Sequence, residues 1–160
     1  FILTIRDPYS WLNSIFNELL NEYGVRPMPM ELWHEVLFEP SKFSYTSHDE
    51  PLRRRGLYPL DSFLIYWVRA NQSVLNGIPR DRLLVIRTDE IQTSANEIAE
   101  FLKISVDSLQ MSEGYKNRVY KDHCVFDELD RQYVYEKCTH YCSTLMEQYY
   151  PDVDLASVIQ

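Results

Sequence analysis

Phe1-Ile-Leu-Thr-Ile-Arg6-Asp-Pro8-Tyr-Ser-Trp-Leu-Asn-Ser14 is the stretch that decides the fold. Phe1–Ile5 is a short apolar run of strand type, and apolar residues then recur at helical spacing. Asp7 is a good N-cap, and Pro8 is a good first helical residue, because proline lacks only an N–H that no helix bond would use. A strand running straight into a helix is therefore predicted, with Arg6 at the joint. The C-terminal end of a parallel strand is the usual place for ligands in open α/β sheets. Ser14 follows about two helical turns later, on a side from which its hydroxyl can share an anion with Arg6.

Outward from this joint, residues 8–23 form an amphipathic helix with Leu12, Ile15, Phe16, Leu19 and Tyr23 on one side, and Gly24 is a plausible residue to end it. Pro27 and Pro29 precede a short helix over about residues 30–38. Residues 39–59 hold three prolines, Gly56 and the cluster Arg53-Arg54-Arg55, and such a long irregular segment is usually a functional lid or a mobile loop. A helix over 60–77 carries Leu60, Phe63, Leu64, Trp67, Ala70 and Val74 at helical spacing. After a turn at Gly77–Asp81, Leu83–Ile86 is a continuous apolar run, the mark of a strand buried on both faces of a parallel sheet. Ser94-Ala-Asn-Glu97 is a capping box opening a helix with Ala95, Ile98, Ala99 and Leu102 inward. The last helix, about 125–149, carries Phe126, Leu129, Tyr133, Cys138, Tyr141 and Leu145, and Pro151 closes it.

The composition narrows the functional classes. The chain has 160 residues, enough for a real core, and 45% hydrophobic content excludes general disorder. A net charge of −8 argues against nucleic-acid binding, which needs a basic face, but leaves room for a small anionic ligand. No 18-residue apolar stretch offers a membrane span. Cys124, Cys138 and Cys142 are too few for a disulfide scaffold. They read as buried thiols of a reducing cytoplasm rather than as a metal site with His140, which leaves a lumenal enzyme with a lost anchor as the other compartment. Two apolar strands joined to helices indicate a layered α/β domain. Two strands are too few for a stable sheet, and a chain that starts on Phe1 inside a strand reads as a fragment.

Arg6 and Ser14 have the spacing of the 3′-phosphate-binding segment of sulfotransferases that use 3′-phosphoadenylyl sulfate (PAPS), and the region resembles that segment. A second similarity is Asp81-Arg-Leu-Leu-Val-Ile-Arg-Thr-Asp-Glu-Ile91, like the family's buried strand followed by Arg/Phe-Tyr-Glu-Asp-Leu; a helix ending in Phe101-Leu102 and a short helix near Val106–Leu109 come next. Thr88 stands where the family often has an aromatic near the adenine. Asp89 and Glu90 read as caps of the following turn. Tyr115-Lys116-Asn117-Arg118 lies where the family often has a basic or Asn-containing loop over the 3′-phosphate.

The resemblance implies a P-loop-like three-layer α/β fold of which residues 1–160 are the C-terminal part of one domain, an incomplete parallel sheet with flanking helices. It implies transfer of a sulfuryl group from PAPS to an acceptor hydroxyl or amine, on a small molecule or a glycan. Arg6, Ser14, Lys116, Asn117 and Arg118 would bind PAPS or its product adenosine 3′,5′-bisphosphate. The family's Lys-bearing phosphate loop and catalytic base have no counterpart here, and no G-x-x-x-x-G-K-[ST] run occurs in the chain.

Other readings of the same residues stay open. Arg6 can pair with Asp7 or another carboxylate, and Ser14 can lie on a solvated face. The triple arginine is either an anion clamp or a solvated loop. His34, His48 and His123 are candidate bases by residue type only. A P-loop nucleotide kinase or a non-enzymatic interaction domain is the alternative function.

Overall fold

The structure, a computed structural model, describes residues 1–21, 35–110 and 122–153. These divide into two compact units, one of residues 1–6 and 71–118, the other of residues 7–70 and 119–160.

The first unit holds the sheet. Strand β1 (Ile2–Ile5) pairs in parallel with β2 (Leu84–Arg87), with Ile2 opposite Leu84 and Ile5 opposite Arg87. Ile5 and Ile86 are buried, but Leu84 and Val85 are only half-buried, so β2 is not the doubly covered strand its composition predicts. The Thr88 hydroxyl donates to the Ile5 carbonyl at 2.9 Å and ties the two strand ends together. A 3₁₀ turn (Thr88–Glu90) leads to a helix over Ala95–Leu102. Its predicted capping box does not form: the Ser94 hydroxyl donates back to the Glu90 carbonyl at 3.0 Å. Leu102, predicted inward, is exposed, as are Ile104 and Val106.

The second unit is helical. Helix α1 (Pro8–Asn21) starts where Asp7 and Pro8 predict, and Leu12, Phe16 and Leu19 are buried. Helix α2 (Glu50–Arg54) is short. Helix α3 (Leu60–Gly77) has the predicted limits, and the division between the units falls within it, after Ala70. Numbering the Ala95–Leu102 helix as α4, the last helix is α5 (Arg131–Tyr149). It begins later than predicted because Asp130 is its N-cap, accepting from the Tyr133 N–H at 2.9 Å. The preceding 3₁₀ turn (Phe126–Glu128) carries the first apolar residue assigned to that helix.

Aromatic rings fill the centre of this unit. Phe63 meets Phe16 edge-on at 5.1 Å and Phe38 at 4.9 Å, and Phe38 also meets Tyr66 at 4.9 Å. Such contacts add about 0.5–1.5 kcal/mol each beyond simple burial.

Residues 39–59, expected as a lid or mobile loop, are instead folded onto this core as 3₁₀ turns and α2. The cause is Asp49, a carboxylate only 1% exposed. It accepts from the Thr46 N–H and hydroxyl, both at 2.8 Å, from the Leu60 N–H at the start of α3 at 3.1 Å, and from the Tyr133 hydroxyl on α5 at 3.1 Å. A buried carboxylate persists only when its oxygens are satisfied in this way. Burial pushes the Tyr133 phenol well above its ordinary range, which keeps it a donor.

Candidate functional site

Arg6 follows β1 directly and is half-buried at the C-terminal end of the parallel pair. The neighbouring strand ends in Arg87, whose guanidinium is committed to Asp89 (2.9 Å) and Glu90 (3.6 Å). Asp89 and Glu90 thus pair with a strand-end arginine through their side chains, where capping of the next turn was expected. Thr88 uses its hydroxyl on the Ile5 carbonyl, as described.

Asp7 caps α1 with both carboxylate oxygens, accepting from the Ser10 N–H at 2.9 Å and from the Ser10 hydroxyl. A first-turn amide that would suit a phosphate is therefore used within the chain.

Ser14 is half-buried on α1 of the second unit. One turn beyond it, Asn17 is buried and saturated. Its amide nitrogen donates to the Asn13 carbonyl (3.0 Å) and to Asp122 Oδ1 (3.1 Å), and its Oδ1 accepts the His123 N–H at 2.7 Å. Asp122 Oδ1 also accepts the Cys124 N–H at 2.9 Å. The Cys124 N–H first, then the Asn17 amide, hold the Asp122 carboxyl below its usual range. Cys124 has φ of +51°, a left-handed conformation that a non-glycine residue adopts at a cost and that these bonds help hold. Asn21 Nδ2 donates to the Asn17 carbonyl, and Asn21 Oδ1 lies 3.1 Å from His123 Nε2.

Lys116, Asn117 and Arg118 lie outside the described residues, as do His34, Tyr23 and Gly24. Of the arginine cluster, Arg55 makes a two-pronged pair with Glu128, at 2.7 Å for one contact, and Arg54 reaches the same carboxylate at 3.4 Å. Arg55 chiefly holds the Glu128 carboxyl below its usual range. Arg54 and Arg55 therefore tie the end of α2 to the turn before α5, and both Arg53 and Arg54 are exposed.

Among the described residues, His48 and His123 each have protein neighbours. His48 stacks on Tyr133 at 4.8 Å with its Nδ1 3.9 Å from Asp130 Oδ2, and His123 meets Asn21. Cys138 and Cys142 are buried, and mutual hydrogen bonding and burial push the Cys138 thiol far above its ordinary range. Cys124 is exposed, contrary to expectation. No group of three or more metal-ligating side chains occurs among the described residues, and none of their helices is long and apolar enough to cross a membrane.

Sequence reasoning passed over Asn17 and Asp49. Asparagine at 13, 17 and 21 is a legible signal, since asparagine is a poor helix former and an every-fourth-residue run puts the amides on one face. Thr46-Ser-His-Asp49 is a capping motif in a segment read as loop. Compared with known proteins, the chain matches no family model, no curated protein and no solved structure.

Proposed function

We propose that this chain is the C-terminal part of a PAPS-dependent sulfotransferase, with the P-loop-like three-layer fold, and that its role is to bind the cofactor's 3′-phosphate. The observation that carries this is Arg6, delivered at the C-terminal end of a parallel strand and followed at once by the Asp7-Pro8 start of α1. The Ser14 spacing in the sequence is the second support. A guanidinium and a hydroxyl form a donor set that fits a phosphate dianion through charge-assisted hydrogen bonds. In this reading Lys116, Asn117 and Arg118 add donors to the same phosphate. A two-stranded parallel sheet with half-covered faces suits a larger sheet completed by other strands.

When bound, PAPS supplies the sulfuryl group, whose bond to the 5′-phosphate breaks as one to an acceptor hydroxyl or amine forms in line. Arg6 and Ser14 stand apart from that transfer. They anchor the nucleotide and select it over one without a 3′-phosphate, which acts on affinity more than on turnover. The acceptor is a small molecule or a glycan. The free cysteines suit a cytoplasmic setting.

Arg6→Ala in the full-length protein tests the assignment. The apparent constant for PAPS is expected to rise about tenfold or more, with kcat changed far less. Unchanged cofactor affinity overturns it.

A further inference from the structure

Cys138 and Cys142 stand one turn apart on α5, and both are 0% exposed. Their thiols are free and lie side by side. A third group faces them from the first turn of α1. The Tyr9 hydroxyl is buried beside the two sulfurs, yet it meets no hydrogen-bond partner among the described residues. A buried phenol in that state has a donor still to give.

Helix geometry limits what can join these sulfurs. Residues four apart on a helix hold their Cβ atoms about 5–6 Å from each other, whereas a disulfide needs about 3.5–4.5 Å. Direct S–S closure would therefore distort α5, while one atom bonded to both sulfurs spans the gap. The bridge must also bring no net charge. The charged group that acts on Cys138 is the Asp7 carboxylate, and two thiolates around a monovalent cation would bury a second negative charge near it. Trivalent arsenic meets both demands and keeps a third valence, which a linear divalent ion would not.

We propose that Cys138 and Cys142 form a dithiol site for trivalent arsenic acids, with the Tyr9 hydroxyl bonded to the oxygen that arsenic keeps. Arsenous acid gives up two of its three hydroxyl groups. Each leaves as water with one thiol proton, as two As–S bonds replace two As–O bonds. Arsenic stays trivalent, so no oxidant or reductant takes part. The acid is small and uncharged, and it reaches the sulfurs through local opening of the packing around α5. The site stands apart from the nucleotide reading.

The reduced full-length protein is incubated with arsenite under native conditions in excess glutathione, and bound arsenic is counted by intact-chain mass spectrometry. One arsenic per chain is expected, held against the monothiol and removed by 2,3-dimercaptopropanol. After unfolding of the loaded chain, Cys138 and Cys142 should resist alkylation and Cys124 should not. Cys124→Ser is expected to leave uptake unchanged. Tyr9→Phe should weaken arsenite binding about fivefold, the worth of one hydrogen bond. It should not affect methylarsonous acid, whose third valence carries a methyl group. An unaltered protein that keeps no arsenic against glutathione overturns the proposal, as does uptake that Cys124→Ser abolishes. Unchanged arsenite binding in Tyr9→Phe overturns the part given to the phenol.

Discussion

Asp49 accepts the backbone N–H of Leu60 at 3.1 Å, so a side chain eleven residues upstream starts the long helix α3. The same carboxylate takes the Tyr133 hydroxyl of α5 and two donors of Thr46. One buried charge therefore joins the proline-rich segment to two helices. Its position at a helix N-terminus adds a favourable dipole interaction.

Asp49→Ala strands the Leu60 and Thr46 amides and the Tyr133 hydroxyl without their acceptor. It is expected to lower unfolding stability by about 2 kcal/mol or more, since Leu60 and Tyr133 are buried and each orphaned buried donor costs about 1–3 kcal/mol. Tyr133→Phe removes a single donor and is expected to cost about 1 kcal/mol. Urea midpoints check both; an Asp49→Ala midpoint equal to that of the unaltered protein would show that the carboxylate is not the staple.

Stability is expected to fall at both ends of the pH scale. Glu39, Asp122 and Glu128 are held below their ordinary values of 4.5, 3.8 and 4.5, chiefly by Lys42, by the Cys124 N–H and by Arg55. Their contribution is present above those values and is lost as pH falls through the lower folded values, because the unfolded chain binds protons first. Tyr9 and Tyr133 are raised above 10.0 by burial, so their contribution is complete below pH 10 and is lost as pH rises above it. Thermal melts from pH 3 to pH 11 should show a plateau with losses on both sides; rising stability below pH 4 contradicts the acidic half.

The thiols separate by exposure. In the folded protein a disulfide reagent is expected to react quickly with Cys124 alone, while buried Cys138 and Cys142 wait for unfolding. Cys124→Ser should abolish the fast phase. A fast phase surviving that change would mean that the α5 thiols are accessible.

Much of the local structure was legible because its causes are local. Asp7 and Pro8 start α1 by their own chemistry, and the apolar spacing from Leu60 to Trp67 sets α3. The misses have distant causes. Residues 39–59 are short of periodic signal, and their order comes from Asp49 meeting Leu60 and Tyr133, the latter 84 positions away. The Ser94 capping box failed because a 3₁₀ turn presents the Glu90 carbonyl to the same hydroxyl. At the candidate site, the strand-end position of Arg6 was legible from the strand–Pro switch. The Asn17 clamp on residues 122–123 was not, because it joins residues more than a hundred positions apart.

Calorimetric titration of the full-length protein with adenosine 3′,5′-bisphosphate, with AMP as control, tests the central claim most directly. A 3′-phosphate reader built on Arg6 and Ser14 predicts tight binding of the bisphosphate that AMP cannot match. Equal binding of the two nucleotides, or none of either, contradicts it.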